Sequence, residues 1–422
     1  MTERPPVVAI LALGLTQIIG YGTLYYSFSI LAPDMARGLN WSTEWIFGAL
    51  SAALLLGGLS APWLGRAIDH FGAGRVMTAG SVIAALALIA CAFAPGKIAF
   101  VVALIVIEIA ANLVQYGASF ALLVQIRPQT AQRSITYLTL IAGFASTIFW
   151  PITTALSAHL SWQNIYLVFA GLNLLICLPL HAWLSHGLAK GRRQEQNGSV
   201  HGVEGVLSPE VRRLGFILMV AGFSLQSLVS AAVLVHMVPL LSGLGLGATA
   251  AMVGTLFGPS QVLSRFTNMV LGGNLPPLAL ATIAAVLIPG GVLILILTAP
   301  SVIGAMVFAI VFGLGNGLFS IVTGTLPLML FGSEGYGRLQ GKVMAARLIV
   351  SAAAPFALAS AMANIGATWS LAITTGLGAL AVLAFLGIGR LTNLRGHLGG
   401  AAIEVAVAAN PLRVDRPRSG LD

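Results

Sequence analysis

The sequence is poor in charged residues. Of its 422 residues, only 8% are Asp, Glu, Lys or Arg, and only 12 are acidic. A soluble domain averages about 25% charged residues, because water must wet its surface. With 58% hydrophobic residues and a mean hydropathy of +0.95, no single soluble core can hide so much apolar surface. The composition therefore predicts a membrane protein, with the lipid bilayer as its solvent.

Cysteine is also scarce, and the motifs of several enzyme classes are missing. Cys91 and Cys177 both fall within apolar runs, which predicts small buried hydrophobic residues and no disulfide or metal site. The sequence has no phosphate-binding loop of the G-x-x-x-x-G-K-[ST] type and no metal-spaced cluster of ligands. It also lacks the basic stripe with aromatic residues of a nucleic-acid-binding protein. We therefore predict neither an enzyme nor a cofactor, and no nucleic acid as a partner.

Long apolar runs are abundant. A helix needs about 20 mostly apolar residues to cross a bilayer. This rule predicts twelve spans, at 7–31, 43–64, 76–94, 98–125, 135–158, 163–185, 213–238, 248–270, 275–298, 302–328, 342–363 and 368–390. The predicted fold is an all-α integral membrane protein made of two six-helix halves. The predicted domains are the halves at 1–185 and 213–398, a polar linker at 186–212 and a tail at 399–422.

The distribution of Lys and Arg predicts the orientation of the chain. Seventeen of these residues lie in segments on the side of the N-terminus, and only Arg37 and Lys97 lie in loops on the opposite side. Cytoplasmic loops are the ones enriched in Lys and Arg. Both termini are therefore predicted to be cytoplasmic, and we expect a monomer in a bacterial inner membrane.

The two halves repeat a spacing of polar residues and prolines. Asn112 is followed by an arginine 21 residues later and a proline 39 residues later, and Asn316 by an arginine 22 residues later and a proline 39 residues later. Many transporters are built from such internal repeats. The spacing therefore favours a pseudo-symmetric pair of halves.

The stretch "GRAIDHFGAGR" gathers charge in the loop after the second span. Gly65, Asp69, Gly72 and Arg75 match the pattern G-x-x-x-D-[RK]-x-G-x-[RK], with His70 in place of a basic residue. Together with twelve spans and a central linker, this pattern resembles the major facilitator superfamily over nearly the whole chain. The resemblance implies a loop that packs between helix ends and helps latch one state of a transporter. In such a loop Asp69 can lie near a helix N-terminus or pair with an arginine, where its charge is favoured. The alternative is a solvated turn that only carries positive charges on the inner side.

Two further stretches resemble one branch of that family. "GYGTLYYSFSIL" in span one and "GPSQVLSRF" in span eight are similar to the monocarboxylate and oxalate/formate branch. In that branch an arginine of span eight binds the substrate carboxylate, and the resemblance assigns this role to Arg265. The signatures of proton-driven drug antiporters are missing, since span four carries Glu108 and no arginine. The monocarboxylate signature ahead of span five is not recognisable either.

Few strongly polar side chains lie at membrane depth, where an ionisable group is a functional hypothesis by default. Several recur at helical spacing on one face of a span, and the family architecture places spans one, four, seven and ten around a central cavity. The predicted substrate-binding residues are Arg265, Gln261, Gln17, Tyr21, Tyr25, Asn112, Gln115, Asn316 and Arg347, and the candidate for proton coupling is Glu108. The alternative for these side chains is hydrogen bonding that only holds helices together, and for Glu108 an internally bonded, protonated carboxyl group.

These expectations combine into a secondary transporter that works by alternating access. The preferred partner is a small organic anion such as a monocarboxylate, together with a coupling proton. Efflux of amphipathic or drug-like compounds is the alternative within this class. A membrane sensor that transports nothing, or an enzyme, is the alternative outside it.

Overall fold

The computed structural model describes residues 5–195, 202–247, 249–271 and 275–408, which are helical almost throughout. Within these residues, eleven helices are long and apolar enough to cross a membrane. They are Val7–Gly38, Glu44–Phe71, Ala73–Ala92, Lys97–Ile126, Pro128–Ser157, Trp162–His186, Pro209–Met237, Pro277–Thr298, Val302–Phe331, Tyr336–Ile365 and Ala367–Thr392. The predicted all-α membrane fold is confirmed.

The eighth predicted span corrects the expectation of twelve continuous crossings. Residues 249–270 form two shorter helices, Thr249–Thr255 and Phe257–Val270, with a turn at Leu256. Pro259 explains the break, because proline has no N–H for the carbonyl of Thr255 and its ring clashes with that carbonyl. We number this broken segment span eight, so that the eleven helices given above are spans one to seven and nine to twelve.

Spans one, four and five are interrupted as well. Span one contains a π-helical turn at Gly22–Tyr26, and span four is broken at Gln115. Span five changes helix between Ala142 and Ala145. Such local departures from the α-helix are frequent at functional sites. Span six also contains a π-helical turn, at Asn173–Cys177, but within the described residues only spans one, four, five and eight line the cavity discussed below.

Each half of the chain has its own buried core. One cluster of buried apolar side chains begins at Ala9 and includes Leu184, and a second extends from Leu207 to Ile388. Leu328 and Tyr336, at the ends of spans ten and eleven, belong to the first cluster although they lie in the second half. The halves are therefore separate packing units that meet where these two spans adjoin.

The linker is more structured than the predicted range 186–212 suggests. The helix of span six continues to Glu195, and span seven begins at Pro209. Between them, the N–H of Val206 donates to the carbonyl of Met329 at 3.0 Å, which holds the linker against the end of span ten. The polar composition predicted a linker here, but composition does not reveal this backbone pairing.

The last helix also passes a predicted boundary. It runs from Ala367 to Ala408, beyond the expected start of the tail at 399. The rest of the predicted tail, 409–422, lies outside the described residues.

Candidate functional site

Span one brings tyrosines to the boundary between the halves through its π-helical turn. Hydrogen bonds in a π turn join residues i and i+5, so the turn changes the face on which later residues lie. Tyr21 comes directly before this turn and Tyr26 is its last residue, and their ring centroids lie 6.2 Å apart. Tyr25 is 48% exposed and packs edge-on against Tyr26 at 5.3 Å. Gly22 is needed here, because a Cβ would overlap the ring of Phe149.

The break in span four supplies a further tyrosine. The first helix ends at Val114 and the second begins at Tyr116. Since the break takes the helical donor from the Val114 carbonyl, the amide of Gln17 donates to that carbonyl instead, at 2.7 Å. The ring of Tyr116 then lies 4.8 Å from that of Tyr21.

The opposite wall carries Arg265, in the second helix of span eight. This side chain is 6% exposed and donates only to neutral acceptors. Its Nε donates to the Ser320 hydroxyl at 3.0 Å and to the Gly317 carbonyl at 3.4 Å. Nη2 donates to Oε1 of Gln261 at 3.2 Å, and Nη1 donates to the carbonyl of Thr139 at 3.3 Å. Thr139 belongs to span five, so this last bond joins the two halves.

The guanidinium has spare capacity. It carries five N–H groups, and in the described part of the chain each terminal nitrogen keeps one N–H without an acceptor. Among the same residues no carboxylate forms an ion pair with Arg265. Since an unpaired buried charge is costly, the site is suited to an anion that brings two acceptor oxygens.

Span five makes room for this cation. Its helix Ala131–Ala142 ends beside the guanidinium, and the C-terminal end of a helix favours positive charge. The next residue is Gly143, where a Cβ would overlap Nη1 of Arg265. The change of helix in span five therefore provides both the electrostatic partner and the space.

These elements surround a cavity of about 50 Å³. Its walls are the rings of Tyr21, Tyr26 and Tyr116, the segment from Ala142 to Ser146, and three residues of span eight, Gly258, Gln261 and Arg265. This volume is well below that of a typical ligand pocket, and in this structure it has room for only a few water molecules. The cavity thus combines one cation, one amide and three phenol rings.

The predicted substrate-binding residues divide into three groups. Arg265, Gln261 and Tyr21 line the cavity, and Tyr25 packs beside it. Because the π-helical turn changes the helical register, Tyr26 and not Tyr25 takes the place beside Tyr21 that the i, i+4 spacing suggested.

A second group braces span four. Gln17 bonds the broken end at Val114, the amide of Asn112 donates to the carbonyl of Gly57 at 2.9 Å, and Gln115 forms the break itself. These three side chains are at most 9% exposed. Their contacts correspond to the alternative in which hydrogen bonds hold helices together.

The third group lies outside the cavity. Arg347 donates from Nε to the hydroxyl of Ser227 at 2.8 Å, and its guanidinium lies 5.2 Å from the centroid of the Phe319 ring. The amide nitrogen of Asn316 is buried and has no hydrogen-bond partner in the described part of the chain. Glu108 is 6% exposed, and its Oε1 likewise has no partner there.

Six residues of the cavity lining were not predicted from the sequence: Tyr26, Tyr116, Ala142, Gly143, Ser146 and Gly258. Tyr26 was hidden by the assumption of α-helical spacing, Tyr116 by the break next to it, and Gly143 because a glycine has no side chain to attract notice. The adjacent pair Tyr25–Tyr26 was a usable signal, since two neighbouring tyrosines cover two helical faces whichever register holds.

Asp69 forms a second contact between the halves. Its Oδ1 accepts the N–H of Gly337 and its Oδ2 the N–H of Arg338, each at 2.8 Å. Both donors lie in the first turn of Tyr336–Ile365, where the helix dipole favours an anion. Of the two partners considered for Asp69, the helix N-terminus is the one observed.

The rest of the loop motif shapes this contact. A Cβ on Gly65 would overlap the carbonyl oxygen of Gly337, so a glycine permits the close approach of spans two and eleven. Gly72 ends span two with φ 87°, a conformation that favours glycine. Arg75 is exposed on the following helix, and no contact between it and Asp69 is found among the described residues.

Three solved structures share this architecture. The human organic anion transporter MFSD10 (TETRAN) aligns with a TM-score of 0.68 and 15% identity, over 90% of this chain and 100% of that one. The proton:xylose symporter XylE bound to 6-bromo-6-deoxy-D-glucose gives 0.68 and 14%, over 89% and 95%. The transporter FucP in the outward conformation gives 0.66 and 12%, over 90% and 99%. At such identities the likeness shows the fold alone.

Sequence comparison is more specific. No curated protein matches this chain closely enough to count as a relative. The family model of the Major Facilitator Superfamily, however, matches residues 13–355, which is most of the chain. The protein is therefore a multi-pass membrane protein that belongs to the Major Facilitator Superfamily of transporters.

Proposed function

We propose that this secondary transporter moves a small organic anion, such as a monocarboxylate, by alternating access. The observation that carries the proposal is Arg265, a buried guanidinium at a cavity whose partners are neutral and which, among the described residues, has two N–H groups without an acceptor. A carboxylate presents two oxygens to such a fork, and charge-assisted bonds of this kind are about twice as strong as neutral ones. The ligand would also neutralise the buried charge.

Binding and movement would be linked through the same side chain. Nη1 of Arg265 holds the carbonyl of Thr139 across the boundary between the halves. An anion that draws the guanidinium toward the cavity would compete with that carbonyl and weaken the contact. One half could then rock against the other around the site, as in transporters built from repeated halves.

A coupling proton would be carried by Glu108. This carboxyl group is buried in span four and its Oε1 has no partner among the residues described. A buried carboxylate without a partner is costly to keep charged. The position is therefore suited to a group that gains and loses a proton as its surroundings change.

We place the protein, as a monomer, in a bacterial inner membrane with both termini in the cytoplasm, because Lys and Arg are concentrated on that side. Efflux of amphipathic compounds is the second candidate. It is favoured by the aromatic walls, in which the ring of Tyr26 lies 6.1 Å from that of Trp150.

Flux into liposomes reconstituted with the purified protein tests the proposal. The solutes would be small monocarboxylates, each compared with the amide of the same shape. We expect saturable flux of a carboxylate and none of its amide, since the amide is neutral. Equal flux of amides or organic cations would contradict the anion proposal and support amphipathic efflux. Ligand binding without any flux would instead indicate a sensor.

A further inference from the structure

A second cavity lies between the halves, nearer the face of the molecule that carries Asp69. It has a volume of about 210 Å³. Arg133 and Tyr137 from the start of span five form one wall, and Asn268 and Met269 from the end of span eight form another. Leu280 of span nine closes the far side. Neither the loop motif nor the cavity at Arg265 uses these residues.

The polar part of this cavity offers both a hydrogen-bond acceptor and a positive charge. Asn268 is 7% exposed, and its Oδ1 is buried without a hydrogen-bond partner among the described residues. Arg133 supplies a cation that forms no ion pair within the same part of the chain. It also lies in the first turn of Ala131–Ala142, the end of a helix that favours an anion. The cavity can thus receive an anionic group together with a hydroxyl donor.

The apolar part of the cavity adjoins the bilayer. Phe266, Val270 and Leu271 lie on the same stretch of span eight and are 50%, 58% and 81% exposed. Such a face on a membrane-spanning helix contacts acyl chains. A lipid can therefore enter from the side, with a chain along Met269 and Leu280. A soluble anion would have no use for this wall.

The depth of the cavity fits a lipid headgroup. Arg133 lies five residues after Pro128, where span five begins. At a rise of 1.5 Å per residue this is about 8 Å along the helix. The guanidinium on its long side chain can therefore reach the level at which lipid phosphates lie, as arginines near helix ends do.

We propose that this cavity binds an anionic phospholipid whose headgroup carries hydroxyls, with phosphatidylglycerol as the simplest case. The phosphate pairs with Arg133, a headgroup hydroxyl donates to Oδ1 of Asn268, and an acyl chain covers Met269. Because the walls come from both halves, the bound lipid stabilises the arrangement in which the halves meet at the Asp69 face. A ligand that binds one state only shifts the equilibrium toward it. This inference does not rest on the organic-anion proposal.

Native mass spectrometry of the purified protein with added phosphatidylglycerol or phosphatidylcholine tests the site. We expect one phosphatidylglycerol to be retained per protein, and no equivalent phosphatidylcholine. Arg133→Gln should weaken this binding about tenfold, which corresponds to about 1.4 kcal/mol. The matched control is Arg213→Gln, which removes an exposed arginine outside the cavity and should leave binding unchanged. Equal retention by wild type and Arg133→Gln would overturn the proposal.

Two further arms separate the remaining possibilities. Asn268→Asp is nearly isosteric and adds a negative charge, so it should also expel the anionic lipid; retention would contradict the assignment. It provides an independent test if Arg133→Gln does not fold. In thermal unfolding, inorganic phosphate should stabilise the protein far less than dihexanoyl phosphatidylglycerol. Equal stabilisation by the two would mean a site for soluble anions and would overturn the lipid proposal.

Discussion

Two of the polar contacts between the halves, those of Asp69 and Arg265, follow one electrostatic rule and differ in one respect. At the Asp69 face, a carboxylate of the first half bonds the N-terminus of a helix in the second half. At the cavity, Arg265 of the second half bonds the C-terminal end of a helix in the first half. Both match a charge to a helix dipole. Each Asp69 oxygen has a backbone N–H, however, whereas Arg265 has two N–H groups without an acceptor in the part of the chain that the structure describes.

This difference separates the Asp69 contact, which only holds the halves together, from the Arg265 contact, which can also bind an anion. Asp69 lies at the end of span two, where water weakens electrostatic interactions. Arg265 is buried among neutral groups, where each bond is stronger and each lost partner is more costly. We therefore expect changes at Arg265 to have larger effects than changes at Asp69, and to act on affinity more than on rate.

Replacing Arg265 should have the largest effect, and it tests whether the contact at the cavity also binds the anion. Arg265→Ala should abolish anion binding in a protein that still inserts and folds. Arg265→Lys keeps the charge but loses the planar fork, so we expect affinity to fall more than tenfold, or about 1.4 kcal/mol. Equilibrium binding of a transported carboxylate to the purified variants measures both.

A neutral solute is the decisive control for Arg265. If the native protein carries neutral or cationic compounds, and Arg265→Lys leaves their transport unchanged, the organic-anion proposal is wrong. Amphipathic efflux would then take its place.

Glu108 differs from Asp69 and Arg265, because among the residues described no hydrogen bond joins it to the other half. Replacing it therefore tests proton coupling apart from the contacts between the halves. Glu108→Gln keeps the shape but cannot change charge. If Glu108 carries the coupling proton, the variant should lose accumulation driven by a pH gradient and retain exchange of solute across the membrane. Both modes can be measured on the same liposomes. Gradient-driven uptake that survives the substitution would make Glu108 a structural residue.

The spans and the partner of Asp69 were within reach of the sequence for physical reasons. A bilayer imposes a length and an apolar composition on every crossing, so hydropathy finds them. Asp69 lies three residues before Gly72, where span two ends, which keeps the carboxylate close to helix ends. A helix N-terminus was therefore one of only two natural partners.

The interruptions were out of reach, although they build the cavity. The π-helical turn that ends at Tyr26 and the break before Tyr116 leave the apolar composition unchanged, so no hydropathy pattern reports them. They change the hydrogen-bond register instead, and register decides which face a side chain occupies. The break before Pro259 is different, because a proline is visible in the sequence and its missing N–H disrupts a helix.

Gly143 offers a way to disturb Arg265 without touching it. Its φ of −60° is helical, so alanine is acceptable to the backbone, but the added Cβ would overlap Nη1. Gly143→Ala should therefore displace the guanidinium and raise the Kd for the anion about tenfold, with little change in thermal stability. Gly171→Ala is the matched control, because a Cβ there meets nothing within 4 Å. Unchanged affinity in Gly143→Ala would mean that the guanidinium does not need its observed position.

Asp69→Asn should have the smallest effect and tests the holding side of the comparison. Asparagine can still accept one of the two N–H groups, but it loses the charge that the helix end favours and turns an amide N–H toward the other donor. A hydrogen bond to a charged group contributes about 1.5–3 kcal/mol, and exposure reduces this at the Asp69 face. We expect the turnover rate in liposomes to fall several-fold while the Kd of the anion stays within twofold of wild type.

The control for Asp69 is Asp34→Asn. Asp34 pairs with Arg37 in span one, at the end of the molecule predicted to face away from the cytoplasm, and it makes no contact with the other half among the described residues. Both substitutions remove one negative charge, so a general effect of charge would appear in both. A rate change confined to Asp69→Asn supports a latch, because only that carboxylate joins the halves. Wild-type turnover in Asp69→Asn would instead leave the loop as a turn whose bonds to span eleven have no influence on transport.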